Sequence, residues 1–202
     1  MIAIDNCVWE VSDAIRVNGL EIWNKEQLLM KKILNELSSL DYHTGKKLEK
    51  AVEKVFKSNN LKYKPQPNGQ QKYPDFHVWV GHKMFAVECK SSKSKKITWN
   101  QGWPKDNSLY VFSTSSKKCR GTYLFMGQDH WPSDVKDYYL KEVLVRVKAD
   151  QATQNKIARE KFGDDLPFTY YCREMWNDRR SPIDNNEEKI KNVYDYFYKE
   201  LK

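Results

Sequence analysis

Asp75, Glu88 and Lys90 are the residues of this chain whose types and spacing carry chemistry. They sit at the ends of two short apolar runs, Phe76-His77-Val78-Trp79-Val80 and Met84-Phe85-Ala86-Val87, split by Gly81-His82 in the manner of a β-hairpin. Glycine at the first central position of a two-residue turn suits type II′. Counting outward from that turn, Val80 pairs with Lys83, Val78 with Phe85 and Phe76 with Val87, so Asp75 should face Glu88. Side chains alternate along a strand. Lys90 therefore shares the Glu88 face roughly 6.5–7 Å further on, while Phe85, Val87 and Cys89 point into the core. Cross-strand partners have Cβ atoms roughly 4.5–5.5 Å apart, and like charges placed there repel. A divalent cation such as Mg2+, which takes oxygen ligands from one or two carboxylates, would remove the repulsion, and the Lys90 ammonium would relieve it further. Two carboxylates, a hard metal ion and a lysine that orients water make a site competent for phosphodiester hydrolysis.

An acid two residues before a lysine is common in a chain that is 31% charged. Asp134-Val135-Lys136, Glu187-Glu188-Lys189 and Glu200-Leu201-Lys202 repeat it. None of them follows a Pro-Asp strand start, so the pairing with Pro74-Asp75 carries the inference. The competing account is a charged, solvated face of an ordinary sheet.

The elements that must position these residues follow from periodicity. Leu28, Leu29, Ile33, Leu34 and Leu37 recur at helical spacing after a capping Asn24. A second helix follows Thr44, with Leu48, Ala51, Val52, Val55 and Phe56 as its apolar stripe and Glu49 and Glu53 beside it; Asn59-Asn60 ends it. Residues 61–73, with Pro65, Pro67 and Asn68-Gly69, read as a polar loop. After the hairpin, Leu109–Phe112 and Thr122–Met126 read as strands. Asp134–Val147 is ambiguous between helix and strand, 151–163 is helical, and 185–202 is an amphipathic helix. The expected fold is α/β, a mixed central sheet flanked by helices. It forms one domain, with a catalytic core over approximately 44–127 and helical flanks at 1–43 and 133–202.

Bulk properties narrow the class. Among 202 residues, 40% are hydrophobic and 13% aromatic, enough for a real core. No apolar run approaches the roughly 18 residues of a membrane span, and Asp5 and Glu10 argue against a signal peptide; a cytoplasmic protein without a membrane partner is expected. Cys7, Cys89, Cys119 and Cys172 are scattered without a CxxC pair, and the histidines at 43, 77, 82 and 130 are poorly spaced for a metal. His77 falls on the Asp75 face, and Trp99, Trp103, Trp131 and Trp176 read as core or interface anchors. A net charge of +8 favours a polyanionic partner, because each neutralised phosphate releases counterions.

Pro74-Asp75 followed by Glu88-Cys89-Lys90 at the end of a hairpin resembles the PD-(D/E)XK nuclease superfamily, and within it most resembles a type II restriction endonuclease. The likeness covers roughly residues 44–127. It implies a restriction-endonuclease-like core and carries roles over by position. Asp75 would be the central metal ligand, Glu88 the second, the Cys89 backbone carbonyl the third, and Lys90 the catalytic lysine. The superfamily often adds an acid from the helix before the first strand, and Glu49 fits best. The resemblance implies Mg2+, with Mn2+ as a substitute, and cleavage of duplex DNA at a specific sequence to leave 5′-phosphate and 3′-hydroxyl ends. A homodimer on a palindromic target and a cognate DNA methyltransferase in the host would follow.

Three segments are candidates for DNA contact: Lys93, Lys95 and Lys96 with Asn100 and Gln101; Lys117, Lys118 and Arg120; and Arg173, Arg179 and Arg180. The alternatives to a restriction enzyme are another nuclease of the same superfamily, acting in repair, junction resolution or transposition, and a DNA-binding protein that no longer cuts.

Overall fold

The computed structural model describes residues 24–100, 102–163, 169–171 and 176–202. Helix α1 (Lys25–Ser38) begins with a capping box, in which the Asn24 side chain accepts from the Gln27 amide and the Gln27 side chain accepts from the Asn24 amide. Helix α2 (Gly45–Ser58) starts after Thr44 and stops at Asn59, with Asn60 in the left-handed region at φ 53°. Five strands form one sheet: β1 (Lys62–Pro65), β2 (Phe76–Val80), β3 (Lys83–Ser92), β5 (Ser108–Thr114) and β6 (Gly121–Met126), in the order β1-β2-β3-β5-β6. All neighbours are antiparallel except β3 and β5, so the sheet is mixed. A second, two-stranded ribbon pairs β4 (Thr98–Trp99) with β7 (Trp176–Asn177). The chain is an α/β protein with helices packed on this sheet.

One face of the sheet is closed by three helices. Leu34 and Leu37 of α1, Leu48 and Phe56 of α2, and Val193 and Phe197 of α5 (Asn186–Glu200) share a core with Phe76, Val78, Phe85, Val87, Val111 and Leu124. Phe56 meets Phe76 edge-on at 5.4 Å, and Phe85 meets Phe197 at 4.9 Å. Burying each such side chain contributes roughly 1.5–3 kcal/mol of transfer free energy, so this layer holds the hairpin flat against the helices. The other face is covered only in part. There Ile97, Trp99, Tyr110, Phe112 and Phe125 form a second cluster, joined by Tyr123 and Ile183.

The structure changes or completes the sequence-based expectation in three places. Residues 62–65, expected within a polar loop, form the edge strand β1; Lys-Tyr-Lys-Pro lacks a strong apolar signal because only Tyr63 turns inward. Lysine and proline are the residues that edge strands tolerate. The ambiguous stretch after Ser133 is helical, as α3 (Ser133–Tyr138), a π-helical turn over Tyr139–Val143, and α4 (Leu144–Phe162), none of whose described residues is buried. The ribbon of β4 and β7 joins segments 77 residues apart, which local patterning does not reveal. No described helix is long and apolar enough to cross a membrane.

Candidate active site

The hairpin register is the one its turn dictates: Val80 pairs with Lys83, Val78 with Phe85 and Phe76 with Val87. Gly81 has φ 59°, as the first central position of a II′ turn requires, and a Cβ there would meet Glu26 Cγ at 3.1 Å. The ladder ends at Phe76 and Val87, however, and Asp75 does not simply oppose Glu88. Its carbonyl accepts from the Gln66 amide at 2.8 Å. Its own amide donates to Glu88 Oε2 at 3.2 Å, and its Oδ2 accepts from the Cys89 amide at 2.8 Å. Each carboxylate is thereby held by backbone N–H beside the other, which offsets part of the expected repulsion without a cation.

The remaining oxygens are also placed. Asp75 Oδ1 accepts from Gln66 Nε2 at 3.2 Å, and Glu88 Oε1 accepts from Lys90 Nζ at 2.7 Å. Glu88 is buried, and Lys90 is nearly so. Burial raises the carboxyl pKa of Glu88, with the Lys90 ammonium pulling it down and the Asp75 charge pushing it up. Asp75 is raised by burial too, against the Cys89 amide, Lys90 and Gln66. Glu49, on the first turns of α2, is raised by burial and then by the Asp75 charge, so the helix brings a third acid toward the pair. The Cys89 thiol, pointing to the helical face, is pushed up by burial and by the charges of Asp75, Glu88 and Glu49.

The donor set is compatible with a hard divalent ion. Each of the four carboxylate oxygens of Asp75 and Glu88 accepts one hydrogen bond and keeps a further lone pair. The Cys89 amide points toward Asp75, and in an extended strand a residue's carbonyl points to the same edge as its amide. Among the described residues, no three His, Cys, Asp or Glu side chains converge to cage a metal by themselves. Two carboxylates and a backbone carbonyl suit an ion that keeps several of its own waters, as Mg2+ does.

Behind Lys90 stands a buried assembly that sequence spacing does not expose. The Trp99 ring lies 6.0 Å from Lys90 Nζ and 5.4 Å from the Tyr110 ring, which β5 places opposite Glu88. Trp99 Nε1 donates to Asp178 Oδ2 at 2.8 Å, and the same oxygen meets His130 Nε2 at 2.7 Å. His130 and Asp178 are buried, 48 residues apart in sequence. Nothing in the local sequence marks them, since Asp178 stands directly before Arg179 and Arg180 and reads as one charge among three.

Of the expected DNA-contacting residues, two groups come together. Strands β3 and β5 run parallel and end at Ser92 and Thr114. The loops that follow bring Lys93, Lys95, Lys117 and Lys118 around one open groove of about 780 Å3, with Ile183 at its wall. Asn100 is exposed next to Trp99, and Lys96 is exposed outside the groove lining. Arg120 instead lies 5.8 Å from the Tyr42 ring, and Arg180 lies 5.5 Å from the Trp131 ring, with Arg179 exposed next to it. Gln101, Arg173, Cys7 and Cys172 lie outside the described residues, as does most of the 1–43 flank. Trp99 and Trp103 are buried, as core anchors should be. His77 is half-buried and meets Trp79 edge-on at 6.2 Å. No known protein family matches this chain, and no curated protein matches it.

Proposed function

We propose that this chain is a Mg2+-dependent endonuclease that hydrolyses phosphodiester bonds in duplex DNA at a specific sequence, in the manner of a type II restriction enzyme. The observation that carries the reading is the unit of Asp75, Glu88 and Lys90, hydrogen-bonded into one buried-to-open array at the end of a hairpin. Glu88 is only 5% exposed, which is not where a charge on a merely solvated sheet face would lie.

Asp75, Glu88 and the Cys89 carbonyl would hold the ion, with Glu49 a third acid whose carboxyl feels the Asp75 charge. A divalent cation there supplies Lewis acidity toward a phosphate oxygen and a lowered pKa for coordinated water. The chain's own residues do the rest. The Glu88 carboxylate fixes the Lys90 ammonium at 2.7 Å, and the Trp99 ring flanks it. So held, Lys90 donates to a water aligned for in-line attack and balances negative charge growing on the phosphoryl oxygens. Attack by water forms the new phosphorus–oxygen bond as the bond from phosphorus to the 3′ oxygen breaks. The proton lost by the water passes to bulk solvent and the 3′ oxygen takes one from solvent, which leaves 5′-phosphate and 3′-hydroxyl ends. The lysine groove beyond Ser92 and Thr114 binds the backbone next to the cut. A cytoplasmic homodimer, one site per strand, and a protective methyltransferase in the host belong to the same reading.

Plasmid DNA incubated with the protein in Mg2+ and in EDTA tests it. Discrete fragments in Mg2+ alone are expected. A smear would point to a nonspecific nuclease, and a gel shift without cutting to a binding protein.

A further inference from the structure

The edge strand β1 places two lysines on the face that carries the acids. Lys62 pairs with Trp79, and Lys64 with His77. Cross-strand partners project to the same side of a sheet, so the four side chains make a compact patch. Their contacts agree: Lys62 Nζ lies 5.1 Å from the Trp79 ring centroid, and His77 meets Trp79 edge-on. Neither lysine has an ion-pair partner among the described residues. The Trp99 and Ile183 cluster does not extend over this half of the face, where both lysines are exposed and Met84 of β3 is 49% exposed.

Edge lysines can serve only to discourage sheet-to-sheet pairing. That role accounts for the charge but not for a half-buried tryptophan beside it, flanked by a methionine left open. Position adds a second argument. Trp79 and His77 alternate along β2 and Asp75 immediately precedes that strand, so Trp79 stands four residues, roughly 13 Å, from Asp75. In the other direction, β3 leads from Glu88 through Lys90 to the groove that opens at Lys93. The acids thus lie between two cationic patches on one line along the hairpin.

We propose that Lys62, Lys64, His77 and Trp79 bind the DNA strand on the side of the scissile phosphate opposite the lysine groove. The two lysines meet successive backbone phosphates, and Trp79 packs against a sugar between them. This rests on the nuclease reading. Lysines two apart on a strand are roughly 6.8 Å from each other, close to the separation of adjacent phosphates on one strand.

The test is fluorescence anisotropy with a labelled 30-base-pair duplex in EDTA, over a range of salt concentrations. Lys62→Ala/Lys64→Ala should bind at least several-fold more weakly and lower the slope of log K against log salt by about 1.8, near 0.9 for each phosphate no longer neutralised. Trp79→Tyr and Trp79→Ala should weaken binding progressively with the slope unchanged. Lys191→Ala/Lys199→Ala, on the exposed side of α5, is the control and should leave both affinity and slope alone. Thermal unfolding verifies that each variant is folded. Wild-type affinity and slope in the Lys62→Ala/Lys64→Ala variant, while wild type still cuts plasmid in Mg2+, overturns this proposal and leaves the nuclease reading intact. A wild-type protein that neither binds nor cuts overturns both.

Discussion

The Asp75 amide donates to Glu88 Oε2 at 3.2 Å, and the Asp75 carboxylate accepts from Cys89, the residue after Glu88, at 2.8 Å. The pair is a clasp in which each acid is anchored by the other's strand, and Lys90 is tied to it through Glu88. Removing charge at any of the three should therefore stop cutting without unfolding the protein. Lys90→Met keeps length and loses the ammonium; it should reduce cleavage by about 10²–10³-fold, and Asp75→Asn by at least as much. Lys90→Arg should not restore the rate, because a planar fork cannot take the place of a compact ammonium. Duplex binding in EDTA should change little. Plasmid nicking near the wild-type rate in either variant would sink the active-site assignment.

The same acids should make stability depend on pH and, on the proposed reading, on metal. Burial raises the folded-state pKa of Asp75 and Glu88, and burial with the Asp75 charge raises that of Glu49. A carboxyl with a raised folded pKa contributes stability that is complete below its unfolded value, about 4, and that is lost as pH rises through the folded value. In EDTA, Asp75→Asn should therefore gain on wild type as pH increases from about 4 toward neutrality. Mg2+ held between the ionised acids, as proposed, should reverse the trend for wild type. At tenfold over its dissociation constant it should add about 1.4 kcal/mol, a rise of roughly 3–6 °C in melting temperature, at pH 7.5 and not at pH 4. Scanning calorimetry of both proteins at the two pH values decides it. A melting temperature of wild type indifferent to Mg2+ at pH 7.5 would remove the metal from this site.

How much of this was legible depends on distance along the chain. The Gly81-His82 turn, the register of β2 against β3 and the stripes of α1 and α2 are local, and spacing shows them directly. The other acid-lysine triplets begin on helices α3 and α5, where the first and third residues of the pattern cannot share a strand face. Asp75's departure from the ladder was not legible, because it depends on Gln66, part of a loop that only the fold brings back. β1 was hidden for the opposite reason: its exposed residues are polar enough to read as loop. Trp99, His130 and Asp178 meet only through the β4–β7 ribbon, and no periodicity links segments that far apart.

Asp178 accepts from Trp99 Nε1 and contacts His130 Nε2 with the same oxygen, so its removal leaves two buried polar groups without that partner. Taking a hydrogen-bond acceptor from a buried donor costs about 1–3 kcal/mol. Asp178→Ala should lower the urea midpoint accordingly, whereas Asp178→Asn keeps an acceptor for the indole and should recover part of the stability. Because Trp99 flanks Lys90, Asp178→Ala should also lower kcat more than it raises KM. Unchanged kcat in a destabilised Asp178→Ala protein would confine this assembly to holding the fold.

Lys93 and Lys95 leave β3 at the point where Lys117 and Lys118 leave the segment after β5, and the four converge only because those two strands are parallel. Lys95 is the most constrained: Asp184 lies 3.9 Å from its ammonium, and Ser181 Oγ donates to its carbonyl at 2.5 Å. Lys117 and Lys118 are exposed and have no ion-pair partner among the described residues, so they are the freer charges for phosphate. Exposed phosphate contacts act mainly through counterion release, which sets the salt slope and carries no base preference. Lys117→Ala/Lys118→Ala should therefore flatten log K against log salt by about 1.8 while leaving the ratio of cognate to noncognate affinity near its wild-type value. Lys95→Ala should flatten it less, since Asp184 already offsets part of that charge. A groove variant that loses sequence preference but keeps its salt slope would show base readout there instead, and would move the backbone contacts elsewhere on the protein.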